Sequence, residues 1–73
     1  MTKFAERIKE FRIERNMQQK DLAAVLFVNQ RTISNWERKI NVPDYDMLIK
    51  IAKYFEVSID YLLGNDDYSN KNN

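Results

Sequence analysis

Five polar side chains near the middle of the chain offer the most specific chemistry. Gln30, Arg31, Ser34, Asn35 and Arg38 fall at i, i+1, i+4, i+5 and i+8, so a helix over 30–38 would line them up on one face, with Ile33 and Trp36 on the opposite one. Their groups are forked or planar. A guanidinium matches the paired acceptors on the major-groove edge of guanine, and a carboxamide matches the donor beside an acceptor on adenine. Ser34 is short enough for a point of close approach. Asn29 precedes this helix and is a good N-cap, and a helix N-terminus with its N–H groups suits a phosphate. The alternative is an ordinary solvated face. Such faces favour Glu and Lys, which none of the five positions holds.

Other chemistries find little support. The 73 residues contain no His and no Cys, which removes the commonest general base, the commonest metal ligand, disulfides and thiolate sites. Ser34, Asp21 and Glu37 are the only residues worth weighing for catalysis, and no Gly-rich loop or ligand cluster accompanies them. No enzyme, cofactor or metal is expected. No apolar run approaches the roughly 18 residues of a membrane span, and the start, MTKFAERIKEF, is charged throughout, so a cytoplasmic protein is expected. Net charge is only +1, yet its distribution is uneven. Residues 1–42 hold nine Lys/Arg against five Asp/Glu, and residues 43–73 hold three against six. A basic first part could face phosphates and an acidic second part a partner, although small domains also show such asymmetry by chance.

The elements that must position these groups are helical. One Gly and one Pro leave few breakers, and 44% hydrophobic residues suffice for one packed domain. Phe4, Ile8 and Phe11 share a face of a first helix over 3–15, with Thr2 as its N-cap and Asn16 as a left-handed end. Leu22, Ala23 and Leu26 form the inner stripe of a short second helix over 18–26, and about three residues connect it to the helix that begins after Asn29. Pro43 and Asp44 open a fourth helix, whose Leu48, Ile51, Ala52 and Phe55 repeat at i, i+3, i+4, i+7. Ser58 caps a last short helix, Ile59–Leu63, ended by Gly64. The expected organisation is an all-α domain of five helices over 1–64 and a polar, disordered tail or linker start over 65–73.

Residues 17–37, MQQKDLAAVLFVNQRTISNWE, closely resemble the helix-turn-helix of the Cro and phage-repressor (XRE-like) family. Gln19, Leu22, Ala23, Leu26, Val28, Thr32, Ile33, Ser34, Trp36 and Glu37 carry the likeness, which continues through Pro43 and LIKIAKYFEVSIDYLLG (48–64) to cover roughly residues 4–64. The resemblance implies a lambda-repressor-like fold and a transcriptional regulator that binds double-stranded DNA through the major groove, more commonly a repressor than an activator. It places Gln30, Arg31 and Asn35 at the main base-reading positions and Thr32 and Ser34 at lesser ones. It gives Gln19 and Arg38 phosphate contacts, beside Asn29, and it pairs Arg12 with Glu37 across the first and third helices. Three departures stand out. Gln18 replaces the usual Ser/Thr cap. Phe27 stands where the turn usually has Gly, which implies strain, a different turn or compensating packing. Lys39 replaces a common Gly and is a further phosphate candidate.

A lone domain with about three base-reading side chains cannot select one site in a genome, since each contact supplies only a few kcal/mol. A homodimer on a two-fold operator is therefore expected, with half-sites about 34 Å apart. The resemblance implies a contribution from the fifth-helix region, where Val57, Ile59, Tyr61 and Leu62 supply apolar groups beside acidic Glu56 and Asp60. These four residues would otherwise only cap the core. The competing reading is an antitoxin or helical protein-interaction module, with Ile13, Ile40 and Ile49 as outer apolar residues for an unidentified protein partner; a further C-terminal domain beyond this region is a related expectation.

Overall fold

The computed structural model of the chain describes residues 2–65, and all its regular elements are helices: α1 (Phe4–Glu14), α2 (Gln19–Leu26), α3 (Gln30–Glu37), α4 (Tyr45–Phe55) and α5 (Ile59–Leu63). The expected five helices are all present, within one or two residues at their ends. The expected tail over 65–73 lies, apart from Asn65, outside the described residues. No described helix is long and apolar enough to cross a membrane.

Capping explains where the helices begin. Asn29, Asp44 and Ser58 each accept, through a side-chain oxygen, the backbone N–H three residues on, at 2.9 Å in all three cases. Gln18 begins α2 without the usual hydroxyl, and Asp21 compensates by accepting the Gln18 N–H at 2.8 Å. Thr2 is not the cap of α1. The first helical bond runs from Arg7 N–H to the Lys3 carbonyl, so Lys3 occupies the N-cap position and its side chain makes no capping bond. Thr2 lies one residue too early because Lys3 N–H is held by the Leu63 carbonyl of α5 at 3.1 Å.

One turn type ends every helix. Met17 N–H bonds the Arg12 carbonyl, Val28 that of Ala23, Ile40 that of Asn35, Val57 that of Ala52 and Asn65 that of Asp60, all at 2.8–3.0 Å. In each case the residue before the donor has positive φ: Asn16, Phe27, Lys39, Glu56 and Gly64. Only the last is glycine. A Cβ at Gly64 would lie 2.9 Å from Lys3 Cβ and Cγ, so both its φ of +85° and its close approach to the N-terminal segment require Gly. At Phe27 the strain is real, with φ at +61°, and packing does not relieve it, since the residue is 86% exposed. The Lys50 ammonium lies 4.7 Å from the ring centroid and also donates to the Leu26 carbonyl at 2.8 Å.

The core gathers the inner stripes of all five helices. Phe4, Ile8, Leu22, Ala23, Leu26, Ile33, Trp36, Ile51, Ala52, Phe55 and Leu62 are buried together. Phe4 meets Trp36 edge-on at 5.9 Å, which packs the start of α1 against α3. This core holds α3 by Ile33 and Trp36 and leaves its other side to solvent.

Candidate nucleic-acid interface

The outer face of α3 is arranged by its own hydrogen bonds. The Asn29 side-chain oxygen accepts both the backbone N–H of Thr32 at 2.9 Å and its hydroxyl at 3.0 Å. Thr32, half-buried, thus commits its hydroxyl proton to the cap, while the Asn29 amide N–H groups stay available as donors. Arg38 Nη2 donates to the Asn35 side-chain oxygen at 3.2 Å, which orients the Asn35 carboxamide. Gln30 and Arg31 are exposed at the start of the helix, and Ser34 and Asn35 are half-buried along it. Gln30, Arg31, Ser34 and Asn35 therefore lie beside one another on the side opposite Ile33 and Trp36, as the periodicity predicted. The surface they form offers forked donors and acceptors at fixed spacing.

The flanking candidates are already engaged. Lys39 sits at φ +65° and pairs its Nζ with Glu6 Oε2 at 2.9 Å, both side chains being about half exposed. That hydrogen bond from Lys39, aided by a backbone bond within Glu6 and by the charges of Lys39 and Lys3, lowers the Glu6 pKa below its ordinary value. Gln19 opens α2 and donates through Nε2 to Glu37 Oε1 at 3.1 Å.

The Arg12–Glu37 pair forms as the resemblance implied. Arg12 Nε donates to Glu37 Oε2 at 2.8 Å and Nη2 to Oε1 at 3.0 Å, a two-pronged contact between side chains only 11% and 5% exposed. Arg12 Nη1 also donates to the Met17 carbonyl just before α2. One buried guanidinium thereby ties the end of α1, the entry to α2 and the end of α3. Of the three residues weighed for catalysis, Asp21 holds the start of α2 and Glu37 holds Arg12, while Ser34 lies apart from both on the outer face of α3. Among the described residues no His/Cys/Asp/Glu group could hold a metal ion.

The expected dimer surface needs one correction. Leu62 is fully buried in the core and cannot meet a second copy. Lys3 N–H on the Leu63 carbonyl, Arg7 on the Tyr61 carbonyl at 2.9 Å and the Arg7 guanidinium 4.0 Å from the Tyr61 ring centroid clamp α5 onto α1, which turns Leu62 inward. Val57 and Ile59 are half-buried against the core, and Tyr61 is 38% exposed. Glu56 and Asp60 are exposed beside them. Of the outer apolar residues read from the sequence, Ile13 and Ile40 are exposed and Ile49 is half-buried. Sequence reasoning missed the exposure of Val42 and Tyr45, which project from the loop after α3 and the start of α4.

Comparison with known proteins agrees with this arrangement. Residues 8–62 match the family model described as Helix-turn-helix. The HTH-type transcriptional regulator ImmR of Bacillus subtilis is 42% identical over 67 residues, spanning 92% of this chain and 53% of ImmR. The HTH-type transcriptional activator BcrR of Enterococcus faecalis is 36% identical over 64 residues, 88% of this chain and 31% of BcrR. The chain thus spans about half or less of the length of these curated relatives. Among solved structures, the P22 c2 repressor in complex with a synthetic operator superposes with a TM-score of 0.78 at 32% identity, covering 85% of this chain and 94% of the repressor. With three-quarters of its length matched by one family model, and with α2, the Phe27–Asn29 turn and α3 forming the motif itself, the chain belongs to the helix-turn-helix family.

Proposed function

We propose that this chain is the double-stranded-DNA-binding domain of a transcriptional regulator, a repressor that sets α3 into the major groove of a two-fold operator as a homodimer and works in the cytoplasm without catalytic activity. The observation that carries the reading is the outer face of α3, where Gln30, Arg31 and Asn35 stand together on a helix held from behind by Ile33 and Trp36. Thr32 and Ser34 are secondary readers. Asn29, Gln19, Arg38 and Lys39 are the phosphate candidates around them, Lys39 after exchanging Glu6 for a phosphate. The P22 c2 repressor, solved on an operator, supports the mode of binding. Dimerisation is assigned to Val57, Ile59 and Tyr61, with Leu62 excluded by its burial.

Selection of bound sequences from a random duplex pool tests the assignment. The expected product is a two-fold consensus with half-sites about 34 Å apart. Arg31→Ala or Asn35→Ala should each weaken binding by about 1–3 kcal/mol and relax preference at one base pair. Unchanged affinity and preference in both variants would remove α3 as the reading helix. One protomer per site at saturation, with no palindrome, would remove the dimer. BcrR is named an activator, so the sign of regulation is read separately, with the selected operator placed before a reporter gene; repression predicts a fall in expression.

A further inference from the structure

We infer that Glu37 is a positioning residue for Gln19, fixing which end of the Gln19 carboxamide faces a DNA phosphate; this rests on the DNA-binding reading above. Gln19 is the first residue of α2, and its backbone N–H and that of Lys20 come before the first N–H that donates within the helix, that of Asp21 to the Gln18 carbonyl. A free glutamine at such a helix start can turn either its carbonyl or its NH2 outward, and only the NH2 can donate to phosphate. Glu37 removes that choice. A carboxylate only accepts, so Oε1, at 3.1 Å, must face the amide nitrogen. One N–H is spent on Glu37, and the second is held on the same nitrogen in a set direction.

Glu37 is itself immobile. Both its oxygens are taken by Arg12, whose third contact is the Met17 carbonyl at 2.8 Å, and its side chain is only 5% exposed. Arg12 also neutralises the carboxylate, which would otherwise repel the phosphate beside Gln19. Because Glu37 is the last residue of α3, the same bond fixes the phosphate donor on α2 relative to the base-reading helix. The register of the backbone contact and that of base reading are then set by one buried group.

A double-mutant cycle tests this, with affinity for a selected operator duplex measured by fluorescence anisotropy for the wild type, Gln19→Ala, Glu37→Gln and the double variant. Gln19→Ala should weaken binding roughly tenfold in the wild-type background, the worth of a hydrogen bond to a charged group, and less than about twofold beside Glu37→Gln. A role for Glu37 in stability alone predicts equal losses in both backgrounds, and that result overturns the inference while leaving DNA binding intact. Failure of the wild type to bind any duplex overturns the DNA-binding reading itself. A second measurement needs no variant and so survives any misfolding of Glu37→Gln. Side-chain 15N relaxation on the free wild type should show the Gln19 NH2 as rigid as the backbone and that of exposed Gln30 mobile. Equal mobility of the two overturns the inference.

Discussion

Replacing Glu37 with Leu would strand a charge. Arg12 would keep the Met17 carbonyl at 2.8 Å and lose both bonds to Glu37 in a site where its own side chain is 11% exposed. Breaking a buried ion pair from one side costs about 3–5 kcal/mol, because the surviving charge stays desolvated. A domain of this size has about 3–10 kcal/mol in total at roughly 0.05–0.15 kcal/mol per residue, so the substitution removes a large share of it. At about 4–8 °C per kcal/mol for small domains, a 3 kcal/mol loss lowers Tm by roughly 12–24 °C. Arg12→Met should do comparable damage, since Glu37 would then have only the Gln19 amide. The double variant Arg12→Met/Glu37→Leu should recover most of the loss, for no charge remains to be desolvated. Thermal melts followed by circular dichroism on the three variants measure this. A Glu37→Leu melt within about 0.5 kcal/mol of wild type, or a double variant as unstable as the two single losses added, would refute the account of a desolvated pair.

Three further outcomes follow from local geometry. Phe27→Gly should raise stability by up to about 1 kcal/mol in urea denaturation, because relief of the left-handed strain outweighs the exposed Lys50 contact; Phe27→Ala keeps the strain, loses the contact and should fall below wild type. Gly64→Ala should destabilise by about 1–2 kcal/mol by the same assay, since the new Cβ meets the Lys3 stem at 2.9 Å under a φ of +85°. The Glu6 carboxyl, followed by NMR against pH, should titrate below the usual Glu value, and Lys39→Ala should return it toward that value. With its folded pKa depressed, the small stabilisation from Glu6 is present above the unfolded pKa and fades as pH falls through the folded one, and high salt should erase it.

Much of this arrangement is legible in the residues. Ile33 and Trp36 against Gln30, Arg31 and Asn35 place α3 and its outer face by period alone, and Asn29, Asp44 and Ser58 mark three helix starts because capping is local. Arg12 and Glu37 lie 25 residues apart and were paired by family resemblance, since nothing local links them. Leu62 was misplaced because a five-residue helix has too few turns to define an inner stripe; the clamp of Lys3 and Arg7 decides it. Thr2 failed for the same reason, as the contact with α5 sets where α1 begins. The link from Gln19 to Glu37 depends on how α2 packs against α3, a tertiary fact that neither composition nor spacing records. Glu56 gave no sign of its left-handed backbone, because a charged side chain carries no preference for it, whereas Asn16 did.

The five identical helix endings bear on how the chain finds its fold. Each reversal is closed by a bond between residues five apart, so the change of direction is written within a single turn of chain and does not wait for distant partners. Chains whose contacts are mostly near in sequence fold fastest, on the order of microseconds to milliseconds for small helical domains. Strain at Phe27, Lys39 and Glu56 belongs to turns that can form early, so it should weigh on the folding rate as much as on the rate of unfolding. Glycine at those three positions would then quicken folding, and the rise in the folding rate would count how many of these turns are already closed at the barrier.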